Sequence, residues 1–153
     1  MQVAQELIDY WAHRYPKAFA LRSEALSEAN ANKGYLRMVD GGTVYMGKHP
    51  SPTQCANYPV QRAAFSIMAR AIYRHHLSLV EMRKEGVNVK MASTIHDALI
   101  DEADEEAARD VLRAMRDDMV AGYLDVFPGA PTDRLVEGGV GSSWGKLVDV
   151  HLD

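Results

Sequence analysis

Residues 93–103 read STIHDALIDEA, with His96 and Asp97 side by side between two runs of strand-forming residues. A histidine and a carboxylate held at a strand crossing can serve as a metal site, as an acid–base pair, or as no more than a polar turn, where aspartate is common. Mg2+ suits a carboxylate presented this way. It binds through one or two carboxylates and completes its shell with water and substrate phosphates. The flanking strands leave no residues for a longer loop, so the pair is expected to form the crossing itself. Side chains alternate along a strand, so the two point to opposite faces unless the turn rotates one of them.

A second constellation lies in NYPVQRAAFSIMARAIYR, residues 57–74. Asn57 and Gln61 bracket Pro59, and amide side chains can donate hydrogen bonds to the minor-groove acceptors of bases. Arg62, Arg70 and Arg74 have the reach to contact phosphates. The same residues also fit a solvated helix face with a capping asparagine. His75-His76 follow as possible ligands on another element. The His-Asp doublet also resembles that of HD-type metal-dependent phosphohydrolases, but in those the doublet lies on a helix, and here the alternation of ALIDEA points to strand.

The elements that must position these residues follow from periodicity. Val3, Leu7, Ile8, Trp11 and Tyr15 have helical spacing, and Pro16 breaks or restarts that helix. KAFALRSEALSEANANKG predicts a second helix capped by its terminal Asn and Gly. YLRMVDGGTVYMG predicts a hairpin whose Asp40-Gly41 pair supplies positive φ angles. Pro59 predicts the start of a long helix over Val60–Glu85 that stops at Gly86. Phe65, Met68, Ile72, Leu79 and Met82 form its expected buried stripe, and Arg62, Ser66, Arg70 and Arg74 a separate polar one. VNVKMASTIH and ALIDEA are expected strands. Asp104 is the expected N-cap of a helix whose core face is Ala108, Val111, Leu112, Met115 and Met119. After a Pro/Gly-rich loop at 127–131, RLVEGGVGSSWGKL predicts a final strand and a short tail. The order implies an α+β chain built around an antiparallel sheet, the 96–97 hairpin plus the C-terminal strand, packed on long helices.

Composition narrows the classes. The 153 residues suffice for one domain with a real core, 47% are apolar and 25% charged. No apolar run reaches membrane-spanning length, and the acidic N-terminus lacks a signal core, so a cytoplasmic home is expected. The single Cys55 excludes an internal disulfide and any multi-cysteine zinc site. A formal charge of −4 lacks the basic excess of an autonomous nucleic-acid binder. Contact with nucleic acid then needs a local basic face or a second protein.

Five stretches, in order, resemble family A DNA polymerases, the bacterial DNA polymerase I family. NYPVQRAAFSIMARA is similar to its N-x-P-x-Q segment, and MASTIHDALIDEADEEAARDVLRAMRDDM to its motif C, the H-D-E hairpin, with the helix that follows. AQELIDYWAHRYPKAFAL resembles the segment after the nucleotide-binding fingers helix, GYLRMVDGGTVYMG the next hairpin, and VEGGVGSSWGKL the closing V-x-x-G-x-x-W. The resemblance covers almost the whole chain.

The resemblance implies that Asp97 is one of two carboxylates holding two catalytic Mg2+ ions. One ion activates the primer 3′-hydroxyl, and the other neutralises the triphosphate and the leaving pyrophosphate. It implies that His96 lies against the primer terminus, and that Gln61 and Asn57 monitor the minor groove of the newly paired end, where acceptors sit in nearly the same place for every correct pair. Ala98 stands where the family usually has Glu, Arg62 where a glycine commonly follows the Gln, and Thr53 where a basic residue is expected. The motif A aspartate and the nucleotide-binding helix R-x-x-x-K-x-x-x-F/Y-G have no counterpart, since no arginine here has a lysine four residues later.

The expectation is therefore the C-terminal palm (34–153) with the end of the fingers (1–33), beginning at Met1 as one subunit of a split polymerase of the kind found in bacteriophages. A larger chain with motif A, the fingers helix and the thumb would be its partner, and primer-template DNA and dNTP the substrates. The alternative is a catalytically inactive assembly or DNA-binding subunit, with Ala98 marking lost chemistry.

Overall fold

The structure, a computed structural model, describes residues 2–150. Two compact units divide the chain, residues 1–63 and 64–153. The mixed α+β class holds, with helices and small antiparallel sheets.

In the first unit, helix α1 (Gln2–Arg14) and helix α2 (Pro16–Ala31) are separated by Tyr15 alone. Pro16 occupies the first turn of α2, where its missing N–H costs nothing. Trp11 packs edge-on against Phe19 across this break, but Val3, Leu7, Ile8, Trp11 and Tyr15 all remain exposed. Strands β1 (Tyr35–Arg37) and β2 (Thr43–Tyr45) pair antiparallel. Their connection needs a positive φ at Gly41 only. Asp40 keeps a negative φ and instead accepts the Gly42 N–H on Oδ1 at 3.0 Å. Gly34 is compelled by contact: it has φ +89° and a Cβ there would fall within the van der Waals shell of the Gly47 carbonyl. The core of this unit is Ala25, Ala29, Leu36, Met38 and Cys55, and burial pushes the Cys55 thiol pKa up.

Helix α3 runs Pro52–Lys84, eight residues earlier than the expected start at Val60. Pro52, not Pro59, opens it. Pro59 lies inside, where its ring costs one hydrogen bond to the carbonyl four residues back, and the other bonds of a 33-residue helix carry it through. The expected stop at Gly86 is observed, with φ +95°. The predicted stripes are corrected at four positions. Phe65 is 60% exposed, whereas Ser66, Ala71 and His75 are buried.

In the second unit, β3 (Val89–Ile95) and β4 (Ala98–Ala103) form a hairpin with a bulge at Ala92. Asp104 lies at the expected helix start but is no side-chain cap. Its Oδ1 accepts from the Asn88 amide at 3.0 Å, a 3-10 turn spans Glu105–Ala107, and helix α4 begins at Ala108 and ends at Leu124. Val111, Leu112 and Met115 are buried as expected. The C-terminal segment is two strands rather than one, β5 (Gly138–Val140) paired with β6 (Val148–Val150), and this hairpin does not join β3–β4. Two glycines with a Cβ-sized contact nearby explain why it closes on itself: Gly139 and Gly141 lie against the carbonyls of Val148 and Lys146. No helix among the described residues is long and apolar enough to cross a membrane.

Candidate nucleotidyl-transfer site

Ile95 pairs with Ala98, so His96 and Asp97 are the entire loop of the β3–β4 hairpin, as the sequence predicts. His96 has φ +53° and Asp97 does not have a positive φ, the pattern of a type II′ turn, in which glycine is the usual first central residue. A histidine there carries backbone strain of order 1 kcal/mol. Both residues are exposed, and Asp97 opens onto a cleft of about 1400 Å³ bounded by β4, α4 and residues 134–147, with Arg116, Arg134 and Trp144 on its walls. The carboxylate is thus carried on a two-residue loop and open to a ligand. Among the described residues, no group of three His, Cys, Asp or Glu side chains is arranged to hold a metal ion.

Of the second constellation, Asn57, Gln61 and Arg62 belong to the first unit, and Arg70 and Arg74 to the second. Asn57 and Gln61 are one turn apart on α3, on one face and both exposed. Arg62 is next to them but is engaged: its Nε donates to Asp40 Oδ2 at 2.7 Å, and that carboxylate is nearly buried. The Arg74 guanidinium makes a two-pronged pair with Asp125 at 2.9 and 3.0 Å, and Arg70 donates to the Ser66 carbonyl at 3.3 Å. Of the expected basic stripe, Arg62 and Arg74 thus reach residues outside α3, and Arg70 turns back onto its own helix.

A buried charged cluster escaped the sequence reading. His75 has no exposed surface, and its Nε2 lies 2.6 Å from Asp101 Oδ2 on β4 while its Nδ1 lies 3.0 Å from Asp118 Oδ2 on α4. The second oxygen of Asp101 is buried with no hydrogen-bond partner among the described residues. Burial by itself pushes the imidazole pKa down, but the hydrogen bonds and charges of Asp101 and Asp118 together outweigh it, and the pKa stands raised. The signal was present in the pattern. Asp101 sits between Leu99 and Ala103 on the inward positions of β4, and His75 between Ala71 and Leu79 on α3.

The chain is 26% identical to DNA polymerase I of Chloroflexus aurantiacus over an alignment of 153 positions, which covers 95% of this chain and 15% of that relative's length. No solved structure matches it significantly. The model of DNA polymerase family A matches residues 1–146, and the chain belongs to that family.

Proposed function

We propose that this chain is the C-terminal palm part of a DNA-directed DNA polymerase, residues 34–153, with the end of the fingers in residues 1–33. It acts with a larger chain that supplies the motif A aspartate, the nucleotide-binding helix and the thumb. Primer-template DNA and dNTP are the substrates. The observation that carries this reading is the His96-Asp97 pair as a two-residue loop, with an exposed carboxylate at the edge of a cleft, in a chain of this family.

Asp97 fits as one ligand of Mg2+, because it is open on its ligand side and a magnesium site needs few protein carboxylates. A single carboxylate is an incomplete site, so the second comes from the partner. When bound, Mg2+ stabilises charge on the phosphates and favours ionisation of the attacking hydroxyl. The chain's own residues position the reactants. His96, fixed by the turn, bears on the primer end. Asn57 and Gln61 donate to minor-groove acceptors and so test pairing. Arg62, steadied by Asp40, stands beside them.

The test is primer extension by the chain reconstituted with the larger subunit that co-purifies with it. Asp97→Ala is expected to lower the rate at least about a hundredfold, the scale of losing a charge-stabilising group. Extension at near wild-type rate defeats the proposal. One observation favours a second reading: Ala98 replaces the usual glutamate beside Asp97. An inactive assembly or DNA-binding subunit predicts retained DNA affinity and an Asp97→Ala variant indistinguishable from wild type.

A further inference from the structure

The His75 cluster lies within an otherwise apolar interior. Along α3 it falls between Ile72, in the cluster around Leu99, Leu112 and Met115, and Leu79, in the cluster with Val89 and Val111. Along β4, Asp101 likewise falls between Leu99 and Ala103. The polar group thus interrupts both apolar clusters, and its three members come from three elements. Apolar side chains at all three positions would give ordinary packing, and buried ion pairs seldom add stability over well-packed apolar residues. What the cluster adds is geometry.

Each ring nitrogen faces a carboxylate oxygen. An ionised carboxylate only accepts hydrogen bonds, so both nitrogens can be satisfied together only if the imidazole carries two protons, or if one carboxylate holds the extra proton. Either way the cluster closes on one proton more than a neutral imidazole between two carboxylates has. Remove it, and a lone pair faces an anion inside the protein. The Asp101 carboxylate has His75 as its hydrogen-bond partner among the described residues, and its other oxygen is already unpaired, so β4 bears the cost. Other charged groups on these elements are occupied elsewhere: Glu102 pairs with Lys90, Asp125 with Arg74, Asp117 with Arg116, and His76 is exposed.

We propose that His75 is a positioning residue, a proton-dependent clamp that ties β4 to α3 and α4 and thereby fixes the loop carrying His96 and Asp97. Asp101 lies four residues after Asp97, on the strand that leaves the loop, and the bulge at Ala92 falls opposite it, where the hairpin's twist is set. The clamp rests on the polymerase reading only in that the hairpin it holds is the one bearing Asp97.

The test is amide hydrogen exchange of the hairpin, Ser93–Leu99, in the full chain from about pH 6 to about pH 9, corrected for the intrinsic pH dependence of exchange. Protection is expected to fall as pH rises, by about tenfold for each unit by which the pKa of His75 in the closed hairpin exceeds that in the open one. In Asp118→Asn the acceptor remains but the charge is lost, so the fall is expected at lower pH. His75→Gln should remove the pH response. Asp118→Asn carries the test alone if His75→Gln fails to fold. Protection that is flat with pH in the wild type, or a midpoint unmoved by Asp118→Asn, overturns the clamp. Neither DNA nor metal enters the measurement, so that outcome leaves the polymerase reading standing. An Asp97→Ala complex that still copies DNA sinks the polymerase reading and leaves the clamp.

Discussion

Gly122 of α4 lies directly on the backbone of Ala71 in α3: a Cβ on Gly122 would sit 2.7 Å from the Ala71 amide nitrogen and 3.0 Å from the Ile67 carbonyl oxygen. Two helices meet here with no side chain between them. Alanine for glycine inside a helix normally gains about 1 kcal/mol. Here the opposing atoms are backbone and cannot swing aside, and overpacking of this kind costs about 1–3 kcal/mol. Gly122→Ala is therefore expected to lower stability by about 1 kcal/mol net, and Gly122→Val by more, in urea unfolding of the chain. A rise in stability for the alanine variant would show that the helices have room to separate.

His96 can be separated into a backbone role and a side-chain role. Its φ of +53° is one that glycine adopts without cost. His96→Gly should leave hairpin stability unchanged or raise it by up to about 1 kcal/mol, since the relief of strain competes with the greater freedom of glycine in the unfolded chain. The same variant should slow primer extension in the reconstituted complex if the imidazole bears on the primer end. Full activity together with a more stable hairpin would mean that the histidine is there by tolerance alone.

How far this was legible in the sequence depends on which force decides each position. The His96-Asp97 loop was readable because two alternating runs abut with two residues between them. The stop of α3 at Gly86 was readable because the positive φ there favours glycine. The start of α3 was misread because proline is a local signal, and a first-turn position at Pro52 and an interior one at Pro59 look alike in one dimension. Phe65 was misassigned for the same reason, since its spacing fits a core stripe but its side chain faces out. Asp101 is the instructive case. A carboxylate on the buried face of β4 violates the apolar pattern, and the pattern could flag the violation without naming His75 and Asp118, which lie 26 and 17 residues away. Long-range polar pairing leaves no local period to read.

Gln61 and its neighbour Arg62 should respond differently to truncation. Gln61 is exposed, so Gln61→Ala is expected to change stability by no more than about 0.5 kcal/mol. If its amide donates to the minor groove, extension efficiency should fall about tenfold, the loss of one hydrogen bond of roughly 1.4 kcal/mol. Arg62→Ala also removes one partner of Asp40, a carboxylate 9% exposed in the β1–β2 connection, and should destabilise the first unit by about 1–2 kcal/mol. Thermal unfolding and single-turnover extension on the two variants make the comparison. Equal stability loss in both would contradict the assignment of Arg62 to the turn.

The pH dependence of global stability follows from the His75 cluster with a definite sign. The folded-state pKa of His75 is raised above its ordinary value of 6.5, so between the two the folded chain binds more protons than the unfolded one. Stability from this group is fully present below about pH 6.5 and is lost as pH rises through the folded pKa. The opposite sign would hold for a histidine buried neutral, whose contribution is lost on acidification. The discriminating measurement is the difference in unfolding free energy between the wild type and His75→Gln across that range. The difference subtracts the other histidines, whose positions the substitution leaves alone. It should be largest on the acid side and shrink as pH rises. A difference that instead grows with pH would mean that the ring is held neutral and that the cluster holds no extra proton, whether on the imidazole or on a carboxylate.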